Sequence, residues 1–127
     1  MNCICGSGNT WKDCCASLLL QGKSAATAEA LMRSRYVAYV RRDGDYLYKT
    51  WATSTRPSKA SLKQLAPTDW QGLTVIRTEQ GGIEDARGVV EFIAHWRDES
   101  GNLQEMHEVS EFVREKGRWV YLKAQAS

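Results

Sequence analysis

No apolar run in this chain approaches the roughly 20 residues that an α-helix needs to cross a bilayer, so a helical membrane anchor is not expected. The opening Met1-Asn2-Cys3 lacks the basic region and apolar stretch of a secretory signal, and a cytoplasmic location is the expectation. An excess of one charge is missing as well. Seventeen basic and fifteen acidic residues leave a formal net charge of +2. They are interspersed, so no polyanion footprint stands out and nucleic acid is not an expected partner. There is no internal repeat, and Pro57 and Pro67 are the two prolines in 127 residues. Hydrophobic residues at 43% and charged residues at 25% argue against a disordered chain, and the length suits one core with a small appendage.

What the chain has in concentration is cysteine. All four lie in the first fifteen residues, as Cys3-x-Cys5-x8-Cys14-Cys15. In a reducing compartment, clustered thiols read as metal ligands before disulfides, and a vicinal Cys14–Cys15 bridge would be strained. Zinc takes four soft or borderline donors in a tetrahedron, about 2.3 Å from each thiolate sulfur. A bent backbone at Cys3 and Cys5 aims both sulfurs at one point. Gly6-Ser7-Gly8 then permits positive φ and turns N–H groups toward the thiolates, with Lys12 as a further source of positive charge. Cys14 and Cys15 are placed at the start of a helical turn, where the local dipole favours thiolates. Cys3, Cys5, Cys14 and Cys15 are therefore the expected ligands of one structural zinc ion. Four protein donors leave no open position for catalysis.

The rest of the chain reads as helices first and strands afterwards. Residues 25 to about 42 contain no Gly or Pro, follow candidate caps at Ser24 and Thr27, and place Met32, Tyr36, Tyr39 and Val40 on one face. Short helical stretches are expected at Tyr46 to Trp51 and Ser61 to Leu65, around a loop at 52–61. Beyond Trp70 the β-branched segments 73–78, 89–96, 106–115 and 119–123 alternate with turn signals at Gly81-Gly82, Gly101-Asn102 and Lys116-Gly117. The expectation is an α+β domain, helices packed on one face of a curved antiparallel sheet. Residues 1–22 form the knuckle segment and residues 23–127 the globular domain, with Gln21-Gly22-Lys23-Ser24 as a linker.

The stretch from Cys3 to Cys15, with Gly6-Ser7-Gly8 and Trp11 inside it, resembles a SEC-C motif, the zinc knuckle at the C-terminus of the SecA translocation ATPase and on many bacterial proteins. Ile4 stands where that motif usually has proline, and Trp11 where it often has Tyr or Phe; neither is a ligand. Further blocks, Ala28 to Tyr36, Tyr46 to Trp51 and His107 to Phe112, resemble the YchJ-like family in the same order. That resemblance implies a cone-shaped, nuclear-transport-factor-two-like (NTF2-like) domain. It implies no activity.

A cone closed by helices can enclose a pocket, and the fold alone does not say what the pocket does. Polar candidates for it are Arg33, Arg35, Tyr36, Thr50, His95, His107, Glu108 and Ser110. The expected lining is Arg33 or Arg35 with Tyr36, Thr50, Trp51, His107 and Ser110. The two arginines diverge by about 160° around a helix, so one faces the pocket while the other is solvated and pairs with Glu29 or Asp43. His107 and Glu108 point to opposite faces of a strand, and His107 pairs with His95 or Glu91 on its neighbour. Trp51, Trp70, Trp96 and Trp119 are expected between sheet and helices. The leading functional expectation is a noncatalytic zinc-binding adaptor whose knuckle docks on a protein partner such as ribosomal or secretion machinery. The alternative is a small-molecule-binding protein or enzyme using the cone.

Overall fold

Thr27 decides where the long helix begins. In the computed structural model, which describes residues 2–125, its hydroxyl oxygen accepts the Ala30 N–H at 3.1 Å, and α2 (Ala28–Arg41) follows. Such a cap contributes about 1 kcal/mol by satisfying one of the orphan donors of the first turn. The helix ends where Arg42 takes a left-handed conformation (φ 55°), and Asp43 caps the next one by accepting the Tyr46 N–H at 3.1 Å. The helices around it are short: α1 (Cys15–Leu19), α3 (Gly44–Lys49) and α4 (Lys59–Leu62). The last begins two residues earlier than the pattern 61–65 implies, because the Ser58 hydroxyl accepts the Ser61 N–H at 3.2 Å. The outermost residues of the two expected segments, Met1 and 126–127, lie outside the described residues.

Four strands follow: β1 (Asp69–Gln80), β2 (Arg87–Arg97), β3 (Leu103–Glu115) and β4 (Arg118–Ala124), all antiparallel in the order β1-β2-β3-β4. β3 and β4 are joined by the two-residue turn Lys116-Gly117 with φ of 53° and 82°, the primed geometry that matches strand twist. Two irregularities in β1, at Trp70/Gly72 and Val75/Arg77, bend the sheet. Period-two alternation sends Val90, Phe92 and Ala94 of β2 inward beside Ser110, Glu108 and Met106 of β3, with which they are in register.

α2 lies across this inner face. Its first residue packs on the β1–β2 hairpin, where the Ala28 N–H donates to the Gly81 carbonyl at 2.9 Å. A Cβ on Gly88 would sit 2.6 Å from Gly81 Cα and 3.0 Å from Ala28 Cβ, so that close approach needs glycine. Leu31, Met32, Tyr36 and Val37 join Val90, Phe92, Phe112 and Trp119 in the main core, and Leu47, Tyr46, Ala38 and Leu62 form a second cluster. Each fully buried side chain of this size contributes about 1.5–3 kcal/mol.

The free edge of β4 is covered. The Tyr121 N–H donates to the Thr50 carbonyl and the Ala52 N–H to the Tyr121 carbonyl, both at 2.8 Å, so residues 50–52 run beside it as a parallel bridge. This pairing carries Trp51 to the mouth of the inner face. Of the tryptophans expected between the layers, Trp119 is buried in the core, Trp51 and Trp70 wall a cavity, and Trp96 is half-buried outside both clusters. Among the described residues no helix is long and apolar enough to cross a membrane.

Candidate metal centre and cone cavity

The four cysteine sulfurs lie within 4.8 Å of one another. Cys5 and Cys14 are 3.6 Å apart and Cys14 and Cys15 3.8 Å, close to the edge of about 3.8 Å that a tetrahedron of 2.3 Å metal–sulfur bonds requires. The backbone makes this locally. The Cys3 N–H donates to the Asn9 carbonyl at 2.8 Å, the Gly6 N–H closes a turn on the Cys3 carbonyl at 3.2 Å, and Cys15 opens α1. Gly6 holds φ 81°, and a Cβ there would lie 3.3 Å from the Leu73 carbonyl oxygen of β1. Glycine thus serves both the turn and the docking of the knuckle on the sheet.

Cys3, Cys5 and Cys15 are buried, at 4%, 0% and 1% exposure, and belong to the same core cluster as Leu31 and Phe92. By themselves these sulfurs cannot all ionise. A hydrogen bond from Cys15 is the largest influence holding Cys5 down, to about 4. The same contact with Cys5, and then burial, push Cys15 up, and burial raises Cys3. A divalent cation is what lets buried thiolates of one sign coexist, so the donor set fits a metal ion. With four protein sulfurs the centre is closed, which suits holding a shape.

Arg33 reaches this knuckle and not the cone. Its Nη1 donates to the Cys5 carbonyl at 2.6 Å while its Nε donates to Glu29 at 3.0 Å. Of the two arginines it is the one paired with Glu29, and it also supplies the positive charge near the thiolates that was expected of Lys12, which is exposed.

Arg35 points the other way, into a cavity of about 280 Å³ enclosed by α2, the 50–52 segment and the inner face of the sheet. Its guanidinium is buried, at 3% exposure. Nη1 donates to the Leu47 carbonyl at 3.0 Å and to the Thr50 hydroxyl at 2.7 Å. The charge stands 4.8 Å from the Trp51 ring centre and 4.9 Å from that of Tyr121. Among the described residues no carboxylate forms an ion pair with it. Burial accordingly pulls its pKa down. Across the cavity the Glu108 carboxylate accepts from the Ser110 hydroxyl at 2.5 Å and the Tyr121 hydroxyl at 3.0 Å. Burial, with the Glu108 charge, pushes the Tyr121 phenol up, so it remains a donor. Tyr36, Trp70, Phe92 and Met106 complete an apolar wall.

Tyr36, Trp51 and Ser110 therefore line the cavity together with Arg35, whereas Thr50 stands behind it: its hydroxyl accepts from Arg35 and donates to the Tyr46 carbonyl at 2.7 Å. His107 is a correction. It is 55% exposed on the outer face of the sheet, with Nε2 2.6 Å from Glu91 of β2, because the pleat that turns Glu108 inward turns its neighbour outward. Glu91 is the one of its two expected partners that it meets, and the hydrogen bond from His107, then that from Arg77, hold the Glu91 carboxyl below the usual carboxylate range. Tyr39, Glu108 and Tyr121 also line the cavity, beyond the lining expected from sequence. Strand parity was an available signal for Glu108, since an inward Ser110 requires an inward residue two positions earlier.

A four-cysteine knuckle docked on a cone-shaped α+β domain defines a class, and both halves are found in it: residues 2–17 match the SEC-C motif and residues 27–124 match the family described as YchJ, middle NTF2-like domain. The chain belongs to that YchJ-like family, whose members here are UPF0225 proteins. A UPF0225 protein from Xanthomonas oryzae pv. oryzae is 46% identical over 97% of this chain and 93% of its own length. Another, from Chromobacterium violaceum, is 46% identical over 94% of this chain and 89% of its own. The solution structure of a SEC-C motif containing protein from Rhodopseudomonas palustris superposes with a TM-score of 0.88 at 40% identity, covering 100% of this chain and 99% of that one.

Proposed function

We propose that this protein binds a small organic anion in the cone cavity and that a zinc ion in the knuckle holds the cone's first helix in place. The observation that carries the first part is Arg35. A buried charge without a carboxylate partner costs several kcal/mol unless something compensates it, and here a carbonyl, a hydroxyl and two ring faces compensate it in part. Among the described residues Nη1 makes the hydrogen bonds to Leu47 and Thr50 and no buried side-chain nitrogen or oxygen lacks a partner, so the other guanidinium nitrogens are open to the cavity, where the Tyr39 phenol stands beside them. A guanidinium offers paired donors to a carboxylate. The flat apolar walls of Trp51, Trp70 and Phe92 suit an aromatic or planar body, and the Glu108 carboxylate can accept from a ligand hydroxyl or N–H. The volume lies at the low end for ligand sites, which fits a small metabolite-sized acid.

Zinc is the ion of choice because four thiolates in a tetrahedron match its preference and a reducing cytoplasm keeps the thiols available. The adaptor alternative rests on exposed apolar surface at the knuckle. Ile4 and Leu20 are exposed there, at 51% and 61%, but Trp11, Leu18 and Leu19 pack against the body, and Trp11 is covered by Arg41 at 5.2 Å.

Thermal-shift titration with benzoate, 4-hydroxybenzoate and indole-3-carboxylate tests the cavity reading. A fitting acid at 100 times its Kd stabilises by about 2.7 kcal/mol, and Arg35→Met abolishes the shift. No shift with any of the three at millimolar concentration, or a shift that survives Arg35→Met, overturns it.

A further inference from the structure

A wide groove lined in part by α3 gathers charge that the chain scatters. Its lining includes Lys23 from the linker, Lys49, Arg56 and Lys59 from the α3–α4 region, and Lys116 and Arg118 from the β3–β4 turn. Glu115 is the one carboxylate among the lining residues, and its Oε2 is already taken by the Thr53 N–H at 3.0 Å. The whole chain carries only +2, so the groove holds more than the entire positive excess and leaves the rest of the molecule net acidic. Among the described residues none of the six cations is in an ion pair; the arginine–carboxylate pairs lie elsewhere, on Arg33 and Arg77. Arg56 and Lys59 rest on Tyr48, at 4.0 and 5.5 Å from its ring centre, and Lys49 on Tyr46 at 5.3 Å, which limits their freedom without neutralising them.

We propose that this groove binds the phosphate backbone of single-stranded nucleic acid. The open groove spans about 1010 Å³, several times the cone cavity, and its cations come from three separate segments of the chain. That arrangement follows a chain of phosphates; a single phosphate would call for a cluster of arginines converging on one spot. Its concavity favours a strand that can thread it over a lipid surface, which needs a flat or convex basic face. Clustered unpaired cations also focus the local field and speed the approach of a polyanion despite the low net charge.

The test is fluorescence anisotropy of labelled rU12 and dT12 oligonucleotides with the full-length, metal-loaded protein between 50 and 200 mM salt. The expected result is micromolar binding at 50 mM that weakens about 15-fold by 200 mM, a log–log slope of about −2 corresponding to roughly three phosphates. Lys59→Gln/Lys116→Gln is expected to bind about tenfold more weakly with a slope shallower by about 1.4, whereas Arg87→Gln/Arg97→Gln, outside the groove, binds as the parent does. Circular dichroism and metal content confirm that each variant is folded. The proposal is overturned by no binding at 100 μM protein, by groove variants that bind normally, or by binding to phosphatidylglycerol vesicles without binding to either oligonucleotide.

Discussion

The knuckle and the cone cavity are both small polar sites set into apolar surroundings, yet they are built on opposite terms. The knuckle draws all four of its sulfurs from residues 3–15 and gathers them at one point. The cavity draws Arg35 from α2, Thr50 and Trp51 from the bridge segment, Glu108 and Ser110 from β3 and Tyr121 from β4, and leaves guanidinium donors unspent. A site that uses all its valences stabilises; a site that keeps some open has something left to offer a ligand. Arg33 and Arg35 divide along the same line: about half a turn of helix separates a side chain that ties the knuckle down from one that faces the cavity.

The sharpest way to break this contrast is at the metal. Cys15→Ser is expected to reduce bound metal from about one equivalent to less than 0.2 by atomic emission, and to lower the melting temperature by at least about 10 °C, since structural zinc sites contribute many kcal/mol to folding. Chelation of the parent protein should reproduce the fall. If the cone melts unchanged, the shared core of Cys3, Cys5 and Cys15 with Leu31 is not what supports it.

Arg35→Met should do the reverse. Loss of binding to any acid that shifts the parent is expected at about 100-fold, while stability moves by no more than about 1 kcal/mol or rises, because removing a buried charge that is only partly compensated offsets the hydrogen bonds lost. A large destabilisation measured by urea unfolding would show that the guanidinium is a structural strut like Arg33. Arg33→Ala, in turn, should cost about 1–2 kcal/mol in the same assay, the range for a charge-assisted hydrogen bond, and leave acid binding intact.

The smallest effect is expected on the outer face. His107→Ala should leave the melting temperature within about 1 °C and change no binding, in keeping with a solvent-exposed pair. Whatever the Glu91 carboxyl gains from its partners is present above the ordinary carboxylate pKa and is lost as the pH falls through its lowered value, so any difference between the variant and the parent should vanish in acid.

Much of the fold was legible before the structure. A cap at Ser24 or Thr27, of which the fold uses Thr27, the helix face of Met32, Tyr36 and Tyr39, and the hairpin turn at Lys116-Gly117 all follow from local chemistry, and each element forms within a few residues of its expected bounds. The gathering of the four cysteines was legible for the same reason, since thirteen consecutive residues with two glycines can close a loop without help from elsewhere. The cavity was legible only in pieces. Arg35 was one of two equivalent choices until the knuckle claimed Arg33, and Tyr121 entered only through the pairing of β4 with residues 50–52.

By itself, then, the chain determined a four-cysteine knuckle able to hold a metal ion and an α+β domain, because ligands, caps and turns act over a few residues. Register, and with it which side of each strand faces the cone, was settled by the long-range pairing of β2, β3 and β4. So was the charge of the groove: Lys23, Arg56 and Arg118 lie far apart along the chain and meet only once linker, α3–α4 loop and hairpin are folded against one another. Interspersed charges look balanced in one dimension, and only packing in three decides which of them share a face.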